Sequence, residues 1–251
     1  NFLVEKNVLE KIISIAKIEK KIILEVGAGT GNLTTYILKN NPKKFFVVEK
    51  DKRLVEVLKN NFGDKIVIIN DDILNIKENS FFKEKVTVFG NLPYNISTEI
   101  LSKWIINLKK DVWFDQLILM FQKEVADRII AKCNTSSYGR LSILSNWRLD
   151  IKKICDIKPE SFAPKPRINS SLLFFTPKQD FLEIKNPKKL EKITRIFFNH
   201  RRKMLKKPFN QLFNGNQKIL NKLKINLDLR PQNLDYNTYY LLTQEFENLR
   251  S

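Results

Sequence analysis

"KIILEVGAGTGNLTTYILKN" (residues 21–40) carries three signals in twenty residues. A short apolar run ends at Val26, three glycines follow at Gly27, Gly29 and Gly31, and helical periodicity resumes from Asn32. That order predicts a strand, a tight loop and a helix. Glycines there let the backbone approach a ligand closely, with a helix N-terminus behind it. A dinucleotide fingerprint requires glycine at the first, third and sixth positions, and the sixth from Gly27 is Asn32. No Gly-Lys-Ser/Thr follows, so the stretch is not a P-loop either.

Outward from this unit the first 120 residues keep alternating. The stretch 8–18 has the period of an amphipathic helix. "KKFFVVEKD", "KIVIINDDIL" and "KVTVFGN" read as further strands separated by helices, and "FDQLILMFQKEV" as a fifth strand leading into a helix. Continuous apolar strands between helices predict an α/β fold with a parallel sheet covered on both faces. Two strand-like runs flank a proline-marked loop at 158–168, as an antiparallel pair at the sheet's edge would. Past Lys178 glycine is nearly absent and helical periodicity covers 188–199, 216–224 and 236–248. The expected organisation is a domain over 1–177 and a small all-helical domain over 178–251.

The apolar runs end in functional groups. Glu49 closes the second strand, where a carboxylate accepts from ribose hydroxyls. Asp72 follows the third, within reach of an adenine amino group. A glycine loop and two such acids on successive strand ends bind an adenosine without phosphates, which points to S-adenosylmethionine rather than NAD or ATP. After the fourth strand comes "NLPY" (91–94), at the same carboxyl edge. One reading is a proline turn whose Asn caps the next helix. The other is chemical. An exocyclic adenine amine is a poor nucleophile, and acceptors from the Asn91 side chain and the Leu92 carbonyl would favour its pyramidal geometry. Pro93 stiffens the turn, Tyr94 offers a stacking face, and the target base must be unpaired or flipped.

Composition narrows the classes further. The 251 residues carry a formal charge of +18 with a pI near 9.8, which suits a polyanionic partner. Residues 178–251 hold 16 Lys/Arg against 7 Asp/Glu, so half of the excess sits in the tail. A Lys-, Asn- and Ile-rich composition also fits an AT-rich genome. The one histidine, His200, rules out histidine triads and multi-histidine metal sites, and Cys133 and Cys155 lack metal-ligand spacing, so no metal is expected. No apolar run reaches the ~20 residues of a membrane span, and a cytoplasmic, non-membrane protein is expected. The chain starts at Asn1 without methionine, so residues are expected to precede it.

"NFL" (1–3), "EVGAGTGNLT", "VVEKD", "NDDIL", "VFGNLPYNIST", "FQKEVADRI", "YGRLS" (138–142), "SFAPKPRINSS" and "FNHRRKML" run nearly end to end along the chain. Together they resemble the KsgA-type small-subunit rRNA adenine N6-dimethyltransferases. The resemblance implies a Rossmann-like class I methyltransferase sheet with a small C-terminal helical domain. It implies that Asn1, Leu3, Gly27, Gly29, Glu49, Asp72 and Asn91 contact S-adenosylmethionine, which leaves as S-adenosylhomocysteine. Asn91, Leu92, Tyr94 and Phe162 would hold the adenine, with Phe162 opposite Tyr94. Without the motif, Phe162 reads as a core aromatic. The implied reaction dimethylates two adjacent adenosines in the 3′-terminal hairpin of 16S rRNA, by a monomer, during small-subunit biogenesis. Two departures stand out: the Gln that commonly precedes "NFL" is absent, and Asp71 replaces an often neutral residue.

"HRRKMLKK" (200–207) reads either as a solvated helix face or as rRNA phosphate contacts through Arg201, Arg202 and Lys203. Two alternatives share these features: an Erm-type 23S rRNA dimethyltransferase, and a non-catalytic assembly factor on the same fold. "QKEVADRI", "YGRLS" and "FNHRRK" favour the KsgA type over the first. The presence of Glu49, Asp72, Asn91 and Tyr94 weighs against the second.

Overall fold

The structure, a computed structural model, describes residues 2–249. Among the described residues there are nine strands: β1 (Phe2–Leu3), β2 (Ile22–Val26), β3 (Lys44–Val48), β4 (Val67–Ile69), β5 (Val86–Asn91), β6 (Phe114–Gln122), β7 (Leu149–Ile157), β8 (Phe162–Ala163) and β9 (Ser170–Pro177). The α-helices are α1 (Lys6–Ser14), α2 (Asn32–Leu38), α3 (Lys52–Phe62), α4 (Glu78–Phe81), α5 (Ser97–Ile106), α6 (Lys123–Ile129), α7 (Arg140–Arg148), α8 (Pro187–Phe198), α9 (Lys206–Phe213), α10 (Gln217–Leu223) and α11 (Tyr236–Asn248).

Seven strands form one sheet in the order β4-β3-β2-β5-β6-β9-β7. The first five run parallel, and β9 pairs antiparallel with β6. The two runs flanking the proline loop, β7 and β9, do lie at the sheet's edge. β2 is sandwiched in register between β3 and β5, with Val26 opposite both Val48 and Gly90. Its strand residues from Ile23 to Val26 are buried, as are those of β3 from Phe45 and of β5 from Val86 to Gly90. This is why those strands read as unbroken apolar runs. The helices cover them with one face each: α1 buries Leu9 and Ile12, each burial worth ~1.5–3 kcal/mol. The Asp51 side chain caps α3 by accepting from the Arg53 N–H at 2.9 Å, a contribution of ~1 kcal/mol.

A second, two-stranded sheet was not expected. β1 pairs antiparallel with β8, with Phe2 opposite Ala163 and Leu3 opposite Phe162. Two residues per strand are too few for periodicity to register.

The chain divides into two compact units, but the division differs from a cut at residue 178. The first unit comprises the residues up to 104, 108–126 and 150–177. The second comprises 105–107, 127–149 and the residues from 178 on. Within the second unit α7 packs against α8 and α11. The Trp147 indole N–H donates to the Leu182 carbonyl at 2.8 Å, and the Tyr240 hydroxyl donates to the Ile143 carbonyl at 2.9 Å. The apolar face of α7 is therefore satisfied by the tail, which sequence order conceals. Pro187, Gln217 and Tyr236 open three helices close to the expected ranges, each behind an Asn or Asp cap at Asn186, Asn216 and Asp235. The basic run 200–204 is a turn rather than a helix face, and α9 begins only at Lys206.

Candidate active site

The carboxyl ends of β2, β3 and β5 carry the site. Between β2 and α2 the chain turns through residues 27–31. Gly27 has φ +74° and Gly29 φ +59°, conformations that L side chains rarely adopt. Space is equally restrictive. A Cβ on Gly29 would stand 2.4 Å from Cδ1 of Phe2, and one on Gly27 would stand 3.1 Å from the Asn91 carbonyl oxygen. The loop is thus bare backbone because two neighbours already occupy the side-chain positions.

Glu49 follows β3 and is 9% exposed. Its Oε2 accepts the Gly29 N–H at 3.1 Å and its Oε1 accepts the Asp51 N–H at 3.0 Å. The carboxylate is therefore fixed in orientation, and its remaining lone pairs are open to hydroxyl donors. Asp72 is held differently. Oδ2 meets the Lys50 ammonium at 2.9 Å and Oδ1 accepts the Leu74 N–H at 2.9 Å. The hydrogen bond from Lys50 holds this carboxyl below its ordinary value, with the Leu74 N–H adding to the effect. The loop beneath it is anchored by Lys103, whose ammonium reaches the Ile73 carbonyl and Glu78 Oε1, both at 2.7 Å.

Asn91 is the last residue of β5, opposite Met120 of β6, and α5 starts only at Ser97. The reading of Asn91 as a helix cap therefore fails. Leu92 is buried, while Tyr94 is half-buried with its hydroxyl 2.6 Å from Ser170 Oγ. Burial raises the Tyr94 pKa, with the Ser170 contact opposing. A cleft of ≈ 240 Å³ is lined by Gly27, Gly29, Glu49, Asn91, Leu92 and Tyr94, with Phe2, Leu54 and Pro93 completing it.

Three expected residues stand outside that lining. Leu3 is buried behind it, its carbonyl accepting from Asn32 Nδ2 at 2.8 Å. Phe162 is 3% exposed and packs in the apolar cluster that includes Leu3, Met120 and Leu172, as a core aromatic does. Asp72 is engaged with Lys50. Asn1 lies outside the described residues. In the second unit, Arg201 is tied to its own chain: its guanidinium donates to the carbonyls of Thr135, at 3.2 Å, and Ser136. Arg202 and Lys203 are exposed.

Other residues at the site gave a weaker sequence signal. Phe2 roofs Gly29, and Ser170 fixes Tyr94; both lie inside quoted motifs yet carried no assigned role. Glu25 is buried beside the glycine loop and accepts from Thr34 Oγ1 at 2.6 Å. Burial pushes its carboxyl up to about 7, with the Thr34 hydroxyl opposing and the Glu49 charge adding. Among the described residues, no group of three or more His, Cys, Asp or Glu is placed to hold a metal, and no helix is long and apolar enough to cross a membrane.

Comparison with known proteins follows the same lines. The sequence pattern of the ribosomal RNA adenine dimethylase family matches residues 1–248. A ribosomal RNA small subunit methyltransferase A of Pelagibacter ubique (strain HTCC1062) is 62% identical over 250 residues, covering 100% of this chain and 95% of the relative. One of the same name from a Wolbachia of Drosophila simulans (strain wRi) is 39% identical, covering 99% and 92%. Among solved structures, a dimethyladenosine transferase from Plasmodium falciparum superposes with a TM-score of 0.81 at 29% identity, covering 99% of this chain and 98% of the other. The 23S rRNA methyltransferase ErmE superposes with a TM-score of 0.71 at 18% identity, covering 98% and 100%, which is a likeness of fold.

Proposed function

The chain belongs to the ribosomal RNA adenine dimethylase family, and from that premise we propose how its residues divide the reaction. It is an S-adenosylmethionine-dependent rRNA adenine dimethyltransferase with a Rossmann-like sheet. It methylates N6 of two adjacent adenosines in the 3′-terminal hairpin of 16S rRNA in the small ribosomal subunit, giving N6,N6-dimethyladenosine. Whole-chain identity to small-subunit enzymes, against fold likeness alone to ErmE, supports the small subunit over the 23S alternative. Retention of Glu49, Asn91 and Tyr94 around one cleft supports a catalyst over a non-catalytic assembly factor.

The cleft fits the methyl donor on this chain's own geometry: the space a Cβ would take at Gly27 and Gly29 is already closed, so bare backbone faces the ligand. When bound, S-adenosylmethionine supplies an electrophilic methyl group and leaves as S-adenosylhomocysteine. Glu49, oriented by two N–H groups, accepts the ribose hydroxyls. Gly27, Gly29 and the Leu3 segment shape the cradle, and Asn91 bridges the two ligands. Asp72 takes the adenine amine only by sharing its carboxylate with Lys50. For the target, the Asn91 side-chain oxygen and the Leu92 carbonyl accept from the N6 hydrogens. This favours a pyramidal amine, whose lone pair is localised on nitrogen instead of delocalised into the ring. Tyr94 presents its ring to the flipped base, steadied by Ser170. No strong base is needed, because the proton leaves after the methyl group arrives. Alignment of this kind lowers a barrier by up to ~7–11 kcal/mol. Phe162 stacks on the base only by leaving its packing in the core cluster.

The enzyme acts as a monomer. Its substrate places it with ribosomes in the cytoplasm. Arg202 and Lys203 contact rRNA phosphates, and the second unit serves as a basic docking element. The convergence of Glu49, Asn91 and Tyr94 on a glycine-floored cleft carries this reading. Labelled S-adenosylmethionine offered with unmethylated small and large subunits separately tests it. Label in two adjacent adenosines of the small-subunit hairpin is expected; label in the large subunit, or in neither, overturns it. Asn91→Ala is expected to abolish nearly all transfer while rRNA binding persists.

A further inference from the structure

The charge of the first unit is distributed unevenly between the two edges of its parallel sheet. The segments that lead into the five parallel strands (17–21, 39–44, 63–66, 83–85 and 109–115) hold eleven lysines and five acidic residues, net +6. The segments that leave those strands at the catalytic edge (27–31, 49–51, 70–77, 91–96 and 123–126) hold three lysines and five acidic residues, net −2. The loop 158–169 adds Lys158, Lys165 and Arg167 against Glu160, which brings the catalytic edge only to zero. An enzyme of a polyanion therefore carries this unit's cations on the edge away from its chemistry. Lysine is favoured at helix C-termini, which point to this edge, but that preference does not make a concave surface.

A concave surface is present. A groove of ≈ 840 Å³ runs across the amino ends of β3 and β4, lined by Lys39, Lys43, Lys44 and Lys65, with Pro42 and Phe62 among its apolar residues. All four lysines are exposed. Lys43 is paired with Glu84 at 2.8 Å, and Asp64 also lines the groove. The Lys44 ammonium lies 4.8 Å from the centroid of the Phe46 ring, and that of Lys39 5.1 Å from Tyr36. A basic channel with apolar patches in its wall suits a nucleic-acid backbone whose bases lie against the wall. β3 has five residues, so the groove lies ~17 Å from the catalytic edge at ~3.3 Å per residue. The target adenosine and the groove therefore engage different nucleotides.

We propose that this amino-edge groove is a second rRNA-binding site, which takes the phosphate backbone of a small-subunit rRNA segment remote from the target adenosines. The proposal rests on the small-subunit reading above. Among the described residues Lys43 is paired with a carboxylate whereas Lys39, Lys44 and Lys65 are not; Lys44 and Lys65, at the amino ends of β3 and β4, each neutralise one phosphate.

The test is equilibrium binding of the full chain to unmethylated small subunits across a salt series. Lys44→Glu/Lys65→Glu is compared with Lys6→Glu/Lys11→Glu, an equal charge change at exposed positions on α1. The groove variant is expected to bind at least ~10-fold more weakly than the α1 variant, with a slope of log K on log salt shallower by ~1.4–1.8 for two lost phosphates. Affinity within ~2-fold of the α1 variant and an equal slope overturn the groove. Binding is read without methyl transfer, so a failure of the groove and a failure of the reaction give separate results.

Discussion

At the residue scale, burial raises the pKa of both Glu25, which is buried, and Tyr94, which is half-buried. Glu25 has its carboxyl raised from 4.5 to about 7, chiefly by burial. The folded chain then binds more protons than the unfolded one between those values, so this group's contribution to stability falls as pH rises through that window. Glu25→Gln keeps an acceptor for Thr34 and removes the titration. Relative to the parent it should gain on the order of 3 kcal/mol between about pH 5 and about pH 8, read from urea midpoints at both pH values. A difference independent of pH would mean that Glu25 ionises as an ordinary carboxyl. Tyr94→Phe loses the Ser170 contact, ~1 kcal/mol of stability, but keeps the ring, so methyl transfer should stay within ~10-fold. Tyr94→Ala removes a stacking face worth ~1–3 kcal/mol, and kcat/KM should fall by ~5- to ~150-fold. Equal activity of the two variants would separate the ring from the reaction. Gly27, Glu49 and Asn91 were legible in sequence because each closes an apolar run at a strand end. Ser170 was not: its role depends on a hydroxyl 76 positions earlier.

At the scale of elements, the pair β1–β8 joins the ends of two motifs that sequence alone treats as unrelated. Phe2 covers Gly29, Leu3 is held by Asn32, and the Val4 N–H donates to the Ser161 carbonyl at 2.9 Å. The N-terminal strand therefore roofs the donor cleft and packs Phe162 behind it. Deleting residues 1–4 should weaken S-adenosylhomocysteine binding by at least ~10-fold, measured calorimetrically, and cost ~2 kcal/mol through loss of the buried Leu3. Unchanged affinity would leave the strand a structural staple only. The long strands and the amphipathic helices were readable because their periodicity extends over several residues. A two-residue strand has no period, and α7 keeps company with the tail only because Trp147 and Ile143 find their partners there.

At the scale of the whole molecule, an excess of +18 makes rRNA binding an ion-exchange process. A protein that engages six to ten phosphates loses ~10³–10⁵ in affinity between ~50 and ~200 mM salt, and this chain is expected to do the same. The three basic residues 201–203 divide within that total. Arg201→Ala removes its hydrogen bonds to exposed carbonyls, which water then satisfies, and should cost the fold ~1 kcal/mol. Arg202→Glu/Lys203→Glu should leave the melting temperature nearly unchanged, lower subunit affinity and flatten the salt slope by up to ~1.8. Unchanged binding by the double variant would make the turn a solvated surface. The charge itself was visible in composition. Its separation into a basic amino edge and a near-neutral catalytic edge was not, since neighbouring segments on one edge come from positions ninety residues apart.

The order of apolar runs and glycines determined the α/β fold, the carboxyl-edge location of the site and the nucleoside character of its donor, because each depends on local periodicity and on strand ends. Tertiary structure alone decided which of those residues face the cleft. Phe162 turned inward, Arg201 was claimed by backbone carbonyls and Asp72 by Lys50, while Phe2 and Ser170 were recruited. The physical reason is that burial and partner choice are settled by contacts between distant segments. Asn91 and Leu92 of "NLPY" line the cleft, but its tyrosine is held by a serine on an antiparallel strand far downstream.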